Sequence, residues 1–451
     1  MRTLFKNVPG AVVAPTGFLA GGVFCDLKRL GTGKGSDKGQ KRDLALIVSE
    51  RPATAAGLFT TNQVCAAPVK VCLDHLRTAR RTAQVIVANS GNANACTGRQ
   101  GLKDAQTMAA LAAAACTEVL GTMTRETQAL VASTGRIGVA LPMANVEAGI
   151  RAVVKVLGRD PRHADAAAEA IMTSDNRPKR VAVEFKLGRV VARIGGICKG
   201  AGMIQPGMSA NGQRPPVVPH ATMLCFLTTD VAIDPAPLQA CLDQAVARSF
   251  NRITVDGDMS TNDTVLILAN GAAGNQKSEI RNQKPAARRT FQAALDHVCL
   301  ELAKMIVRDG EGVTRFVTVR VSGARNTAEA EAAARAVANS ALVKTSWFGG
   351  DPNWGRIMDA LGYSSARIVE DQVDIGYSTP GARKVVWSLR RGQPTAVTFK
   401  DLCAAVAPKE FDLQVRLNVG DGEAVIYAAD LTTEYVDFNK GDVSDPTSLG
   451  G

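Results

Sequence analysis

The chain has 451 residues, room for about two or three domains of ordinary size and a sizeable core. Hydrophobic residues are 46% and charged residues 21% of it, a globular balance that excludes a largely disordered chain. The formal net charge of +11 makes nucleic acid a partner to weigh, yet aromatics are only 4% and none is interleaved with the basic stretches, so the stacking platform of a single-strand binder is missing.

In chain order, the first 24 residues hold Pro9, Pro15 and four glycines, with no compact apolar block before a small-residue cleavage site, so a cytoplasmic location is expected. Residues 28–42 (KRLGTGKGSDKGQKR) and 276–289 (QKSEIRNQKPAARR) carry most of the excess basic charge and read as solvated loops. AQVIVA, 83–88, reads as a strand that ends in the loop NSGNANACTG, and 102–120 as an alanine-rich helix begun by Asp104. Its apolar run, 108–116, is the longest in the chain and falls well short of the roughly 20 residues needed to span a bilayer. A hairpin is expected over 181–197, turning at Leu187 and Gly188, then a strand over 224–233 and a helix over 237–250. Further helices are expected over 290–307 and 328–343, and strands over 316–321, 366–375 and 412–417. This alternation predicts a mixed α/β protein with a domain boundary just after residues 310–314 and no internal repeat.

Ten cysteines are scattered, the nearest two, Cys65 and Cys72, with six residues between them, and the four histidines are far apart. No zinc or redox spacing exists, and reduced, mostly buried thiols are expected. Four loops are dense in Gly, Asn, Ser and Thr: 89–98, 133–138, 198–208 and 254–264. Turn chemistry accounts for any one of them. Several together, hanging from apolar strands, are how α/β scaffolds build a site with backbone donors. None fits a nucleotide-phosphate motif. In KGAGMIQPGMSANGQRPPVVPHATMLCFLTTD, 199–230, a Gly/Pro-rich stretch leads into Thr222. That threonine is either a β-branched strand starter or a nucleophile whose own α-amine, freed by cleavage before it, serves as base.

Across nearly its whole length the sequence resembles the ArgJ family, the glutamate N-acetyltransferases (ornithine acetyltransferases) of arginine biosynthesis. The resemblance is carried by DLALIVSERPATAAGLFTTNQVCAAPV, NSGNANACTG, STGRIG, IMTSDNRPK, KGAGMI, ATMLCFLTTD, SFNRITVDGDMSTNDT, VRDGEGVTRF, LVKTSWFGGDPNWGRIMDALGYS and LTTEYVDFN. It implies autocleavage between Ala221 and Thr222 into an α chain, 1–221, and a β chain, 222–451. Thr222 then attacks N-acetylornithine, keeps the acetyl group as an ester, and passes it to glutamate; acetyl-CoA as a second donor stays open. Thr134 and Gly135 are implied as the oxyanion hole, and Thr173, Lys199, Thr222, Glu311, Asn439 and Ser444 as substrate contacts. The implied fold is an αββα sandwich of the amino-terminal-nucleophile type over 1–314, with a smaller C-terminal α/β domain over 315–451 that holds the substrate-contacting tail. The implied assembly is αβ heterodimers that pair further, a heterotetramer, in the cytoplasm, with small-molecule substrates, no nucleic acid or membrane partner, and no metal or organic cofactor.

Two departures stand out. Residues 209–220 are a twelve-residue insertion beside the scissile bond, expected to be a surface loop with no helix or strand of its own. The tail NKGDVSDPTSLGG lacks the family's aromatic before its last hydroxyl residue, which weakens Ser444 as a contact. Two other functions remain open on sequence: a related self-cleaving amidase or peptide hydrolase with water as acceptor, and a catalytically silent basic protein that binds nucleic acid.

Overall fold

A computed structural model describes residues 5–28, 41–121, 123–213, 223–274 and 285–440. The fold is mixed α/β, with two sheets among the described residues.

The first sheet contains β1 (Phe5–Asn7), β2 (Phe18–Val23), β3 (Leu44–Thr60), β4 (Thr82–Asn92), β5 (Ala129–Arg136), β6 (Lys179–Leu187), β7 (Val190–Lys199), β8 (Met208–Ser209) and β9 (Leu224–Thr229). β10 (Ile253–Thr254) leaves for the second sheet, and β11 (Thr264–Ala269) returns to the first. The main path is β1-β6-β7-β9-β11-β3-β4-β5, with β2 and β8 added to β3. β12 (Phe316–Ala324), β13 (Asp374–Ser378), β14 (Val386–Arg390), β15 (Gln393–Pro394), β16 (Glu410–Arg416) and β17 (Gly422–Ala429) form the second sheet with β10, in the order β10-β17-β12-β16-β13-β14-β15.

The central strands are apolar on both faces because both are covered. In β9, Leu224 and Phe226 join one core with the helices Ala67–Thr78, Gly98–Leu120, Met143–Val153 and Pro161–Ala170. Cys225 and Leu227 join another with the helices Pro235–Ala247 and Pro285–Arg308. A third core fills one side of the second sheet, where Val317, Val319, Leu413 and Ile426 meet Ala334, Val337 and Trp347.

Several expected boundaries move. The strand over 83–88 runs on to Asn92, taking in the start of the expected loop, and the helix after it begins at Gly98 rather than near Asp104. The hairpin is β6–β7, with Leu187 paired to Val190, so its turn is Gly188 and Arg189. β9 stops at Thr229 because the Asp230 carboxylate takes the amides of Thr16 and Arg193 and turns the chain. The helix expected over 328–343 is two: Thr327–Asn339 ends, and the Ser340 side chain accepts from the Val343 amide to cap Ala341–Gly349. The strand expected over 366–375 begins only at Asp374, since Ala366 and Ile368 pack on the core from an irregular segment closed by the turn Glu370–Gln372. Lys28, expected in a solvated loop, is buried; burial lowers its pKa to about 8, and its Nζ donates to the Arg42 carbonyl at 2.5 Å. Within the expected structureless insertion, Ser209 belongs to β8 and pairs with Phe59. Six of the ten cysteines are buried. No helix among the described residues is long and apolar enough to cross a membrane.

Candidate active site

The Gly/Pro-rich stretch leads into β9, whose first residue, Leu224, pairs with Lys199 at the end of β7 and with Thr264 at the start of β11. Three strand ends therefore meet where the chain is expected to be cut. Ala221 and Thr222 themselves, and Ser444, lie outside the described residues. Met223 is fully buried; its amide donates to Asp263 Oδ1, and its carbonyl accepts from the Thr264 amide at 3.0 Å. Burial pushes the Asp263 carboxyl well above the ordinary carboxylate range, opposed by the Ser260 and Met223 amides and the Lys199 charge, while Asp256 adds to the rise. Oδ2 of Asp263 has no well-formed hydrogen-bond partner among the described residues.

Asn262, the residue before, ties this junction to the far edge of the sheet. Its Nδ2 donates to the Ala93 carbonyl at 2.7 Å and to the Ser133 carbonyl at 2.8 Å. Ser133 leads into Thr134 and Gly135, which are not loop residues: they end β5, paired in parallel with Ser90 and Gly91 of β4. Gly135 has φ +130°, and a Cβ there would lie 2.3 Å from the Gly91 carbonyl carbon, so no other residue fits. Asn89 accepts from the Ser133 hydroxyl at 2.6 Å and donates to the Asn92 carbonyl, fixing both strand ends.

A second group gathers around Lys199. Its Nζ lies 4.0 Å from Asp175 Oδ2, which also accepts the Thr173 amide at 3.0 Å. Asp175 Oδ1 accepts the Gly200 amide at 2.7 Å and Lys179 Nζ at 2.6 Å, and Lys179 reaches Asp309 Oδ2 at 2.5 Å. Burial alone would raise the Asp175 carboxyl, but Lys179, Lys199 and the Gly200 amide hold it well below the usual carboxylate range. Burial likewise opposes the Lys179 cation and is overcome by Asp175 and Asp309, which raise it. For Lys199 burial wins: its pKa is lowered although Asp175, Glu311 and Asp263 pull the other way.

Glu311 is pinned by its amide, which donates to the Ala201 carbonyl at 3.0 Å, and its Oε2 accepts Asn439 Nδ2 at 2.9 Å. A Cβ on Gly202 would lie 2.5 Å from that carboxylate. Asp256 fastens the same region by accepting the Met203 and Ile204 amides at 2.7 and 2.8 Å and the Tyr435 hydroxyl at 3.2 Å. The Thr173–Asp175–Lys199 contacts and the Glu311–Asn439 pair are thus joined through residues 199–204 to the start of β9. Thr134 and Gly135 reach that point through Asn262 and Asp263. Sequence reading passed over Asp175, Lys179, Asp309, Asn262 and Asp263. The last two lie in the polar loop 254–264 it singled out, and the first two are a same-stretch acid and lysine in IMTSDNRPK; Asp309 lies in VRDGEGVTRF, but its partners Asn176 and Lys179 are distant in sequence.

Buried Lys199, with Asp175, Glu311 and Asp263 acting on its charge, thus sits beside the strand end at Leu224. The model of the ArgJ family matches residues 29–441. An arginine biosynthesis bifunctional protein of Symbiobacterium thermophilum is 46% identical over 95% of this chain and 98% of its own length. A glutamate N-acetyltransferase of Methanocaldococcus jannaschii is 41% identical over 96% and 98%. An ornithine acetyltransferase from Mycobacterium tuberculosis, solved with ornithine, is 39% identical, with a TM-score of 0.40 over 46% of this chain and all of that one. Sequence likeness of this extent, end to end, means that the chain belongs to the ArgJ family.

Proposed function

We propose that this protein is a self-processing glutamate N-acetyltransferase that moves the acetyl group of N2-acetyl-L-ornithine to L-glutamate. The observation that carries the reading is the 46% identity over 95% of the chain to an arginine biosynthesis bifunctional protein. Cleavage between Ala221 and Thr222 frees the Thr222 α-amine. That amine takes the hydroxyl proton as Oγ attacks the acetyl carbonyl, and it returns the proton to the departing ornithine nitrogen. Thr134 and Gly135 hold the oxyanion; one such donor is typically worth about 2.7 to 4 kcal/mol in the transition state. The glutamate amine then attacks the acetyl ester and Oγ regains its proton. Thr173, Lys199, Glu311, Asn439 and Ser444 bind substrate, with Lys199 on the α-carboxylate and Glu311 on the α-ammonium.

Residues 1–314 are read as the catalytic αββα domain and 315–451 as the smaller one. The shift in register between β3 and β4 from Val48 to Ala53 and the helices on both faces of the sheet support the first assignment. The αβ pairs associate further and work in the cytoplasm.

The test is product analysis. Purified protein given acetylornithine and glutamate should yield ornithine and acetylglutamate in equal amounts, and Thr222→Ala should remain one uncleaved, inactive chain. Acetate without acetylglutamate would mean water is the acceptor and the reading is wrong. Replacing acetylornithine by acetyl-CoA in the same assay asks whether a second donor serves.

A further inference from the structure

Lys179 opens β6 and pairs across the strands with Cys198, the neighbour of Lys199. Its buried ammonium bridges two buried carboxylates, donating to Asp175 Oδ1 at 2.6 Å and to Asp309 Oδ2 at 2.5 Å. Replacing such an ion triad by apolar groups is often neutral or even stabilising, so stability does not account for it. Its placement supplies another reason. Asp309 also accepts the Asn176 amide at 3.1 Å, and it follows the helix Pro285–Arg308 and precedes Glu311 by two residues. Asp175 lies two residues after Thr173 and accepts its amide, along with the amide of Gly200, the residue after Lys199. Both carboxylates that Lys179 holds are thus close along the chain to residues proposed to bind substrate.

The distances around Asp175 are uneven. Three short bonds reach it, from Lys179 at 2.6 Å, from the Gly200 amide at 2.7 Å and from the Thr173 amide at 3.0 Å, whereas the Lys199 ammonium stands off at 4.0 Å. A carboxylate has about four acceptor sites, and three are occupied. The Lys179 charge also repels that of Lys199. In a water-poor interior an unsatisfied carboxylate would draw the second ammonium to hydrogen-bond length, about 2.7 to 2.9 Å.

We propose that Lys179 is a positioning residue for substrate binding: by satisfying Asp175 it prevents that carboxylate from capturing Lys199, whose ammonium stays available to the α-carboxylate that acetylornithine and glutamate share. The proposal rests on the reading of Lys199 as the carboxylate contact. Without Lys179, Asp175 loses its closest cation and Lys199 moves onto it. An incoming substrate must then break an internal ion pair before it can bind.

The test measures KM and kcat for both substrates on self-cleaved, full-length protein, for wild type, Lys179→Met, Lys179→Gln and Lys179→Met/Asp175→Asn. Both single variants remove the charge, and glutamine keeps a hydrogen-bond donor in the pocket should methionine fold poorly. Each should raise KM for acetylornithine and for glutamate at least about tenfold, the scale of one hydrogen bond to a charged group. With kcat little changed, the loss is of binding common to the ground and transition states. In the double variant the captor is neutral, so KM should fall back toward the wild-type value although a second buried residue has been altered. A merely structural bridge predicts further loss instead. Unchanged KM in the single variants, a fall in kcat alone, or a double variant no better than Lys179→Met each overturns the proposal. So does failure of both single variants to give folded, cleaved protein, which would make the bridge structural. A wild type that leaves acetylornithine and glutamate unconverted overturns the proposed function and this proposal with it. With an active wild type, any of the earlier adverse outcomes removes the role of Lys179 alone.

Discussion

Glu311 and Lys199 are held from behind by protein contacts, the first through its backbone and Asn439, the second beside Asp175. Both are proposed to grip the amino-acid end that ornithine and glutamate share, so Lys199→Ala and Glu311→Ala should impair both half-reactions. Loss of one half-reaction alone would argue for separate sites. Gly202→Ala is the milder probe: the added methyl displaces the Glu311 carboxylate, the end of a flexible side chain, so KM should rise for both substrates with little loss of folding. Asp263 makes a prediction about stability. Its ordinary value of 3.8 is raised on folding, so folding takes up a proton between the two values and stability falls as pH rises through that window. In a Thr222→Ala background, proposed above to stay uncleaved, Asp263→Asn should become relatively more stable with increasing pH. The gap should widen by about 1.4 kcal/mol per pH unit within the window. Parallel thermal unfolding curves at all pH values would show the carboxyl to be ionised in the fold.

At the scale of elements, the end of β5 depends on a backbone shape that side chains forbid. Gly135→Ala should lower kcat by at least about 100-fold, as loss of an oxyanion donor does, because φ +130° and the contact with Gly91 both exclude a Cβ. Folded protein with wild-type kcat would remove Gly135 from the oxyanion hole. The insertion is anchored where β8 pairs with β3, and the Ser209 hydroxyl donates to the Gln213 carbonyl at 2.9 Å to close the turn that follows. Its remainder from Arg214 to His220 lies outside the described residues. Loop closure costs little more as loops lengthen, so excising 210–220 while keeping β8 should leave stability nearly unchanged and alter the rate of maturation more than turnover per cleaved molecule. A strong shift in acetyl-donor preference with normal maturation would instead make the loop a specificity element.

Across the whole molecule, the expected cut falls between neighbouring strands of one sheet. β7 and β3 precede residue 222, whereas β9 and β11, which lie between them, follow it. Both faces of β9 and β11 are packed under helices, and Phe226 and Leu266 share a core with Ile47 and Val85. A cut at that point would thus leave two chains woven together in one sheet. The cleaved protein should elute as one species in native gel filtration and separate into its two fragments only under denaturation. Fragments that part under native conditions would contradict this topology.

The ordered motifs sufficed for family membership, since each is a local string that needs no folding to be recognised. The apolar run of β9 was legible for the same reason: burial on both faces leaves a continuous hydrophobic signature. Where the sequence misled, a tertiary partner decided the outcome. Asp230 stops β9 by capturing amides from Thr16 and Arg193, and Lys28 is buried by a fold that surrounds it rather than by its own polar stretch. The ties between parts of the site were likewise invisible, because they span long separations: Asn262 to Ala93 and Ser133, Lys179 to Asp309, Glu311 to Asn439. The sequence by itself determined the family, the alternation of strands and helices, and the polar loops from which a site can be built. Tertiary structure alone decided which residues are neighbours and in which direction buried groups such as Asp263 and Lys199 are shifted, since desolvation and pairing act on a side chain only once the rest of the chain has closed around it.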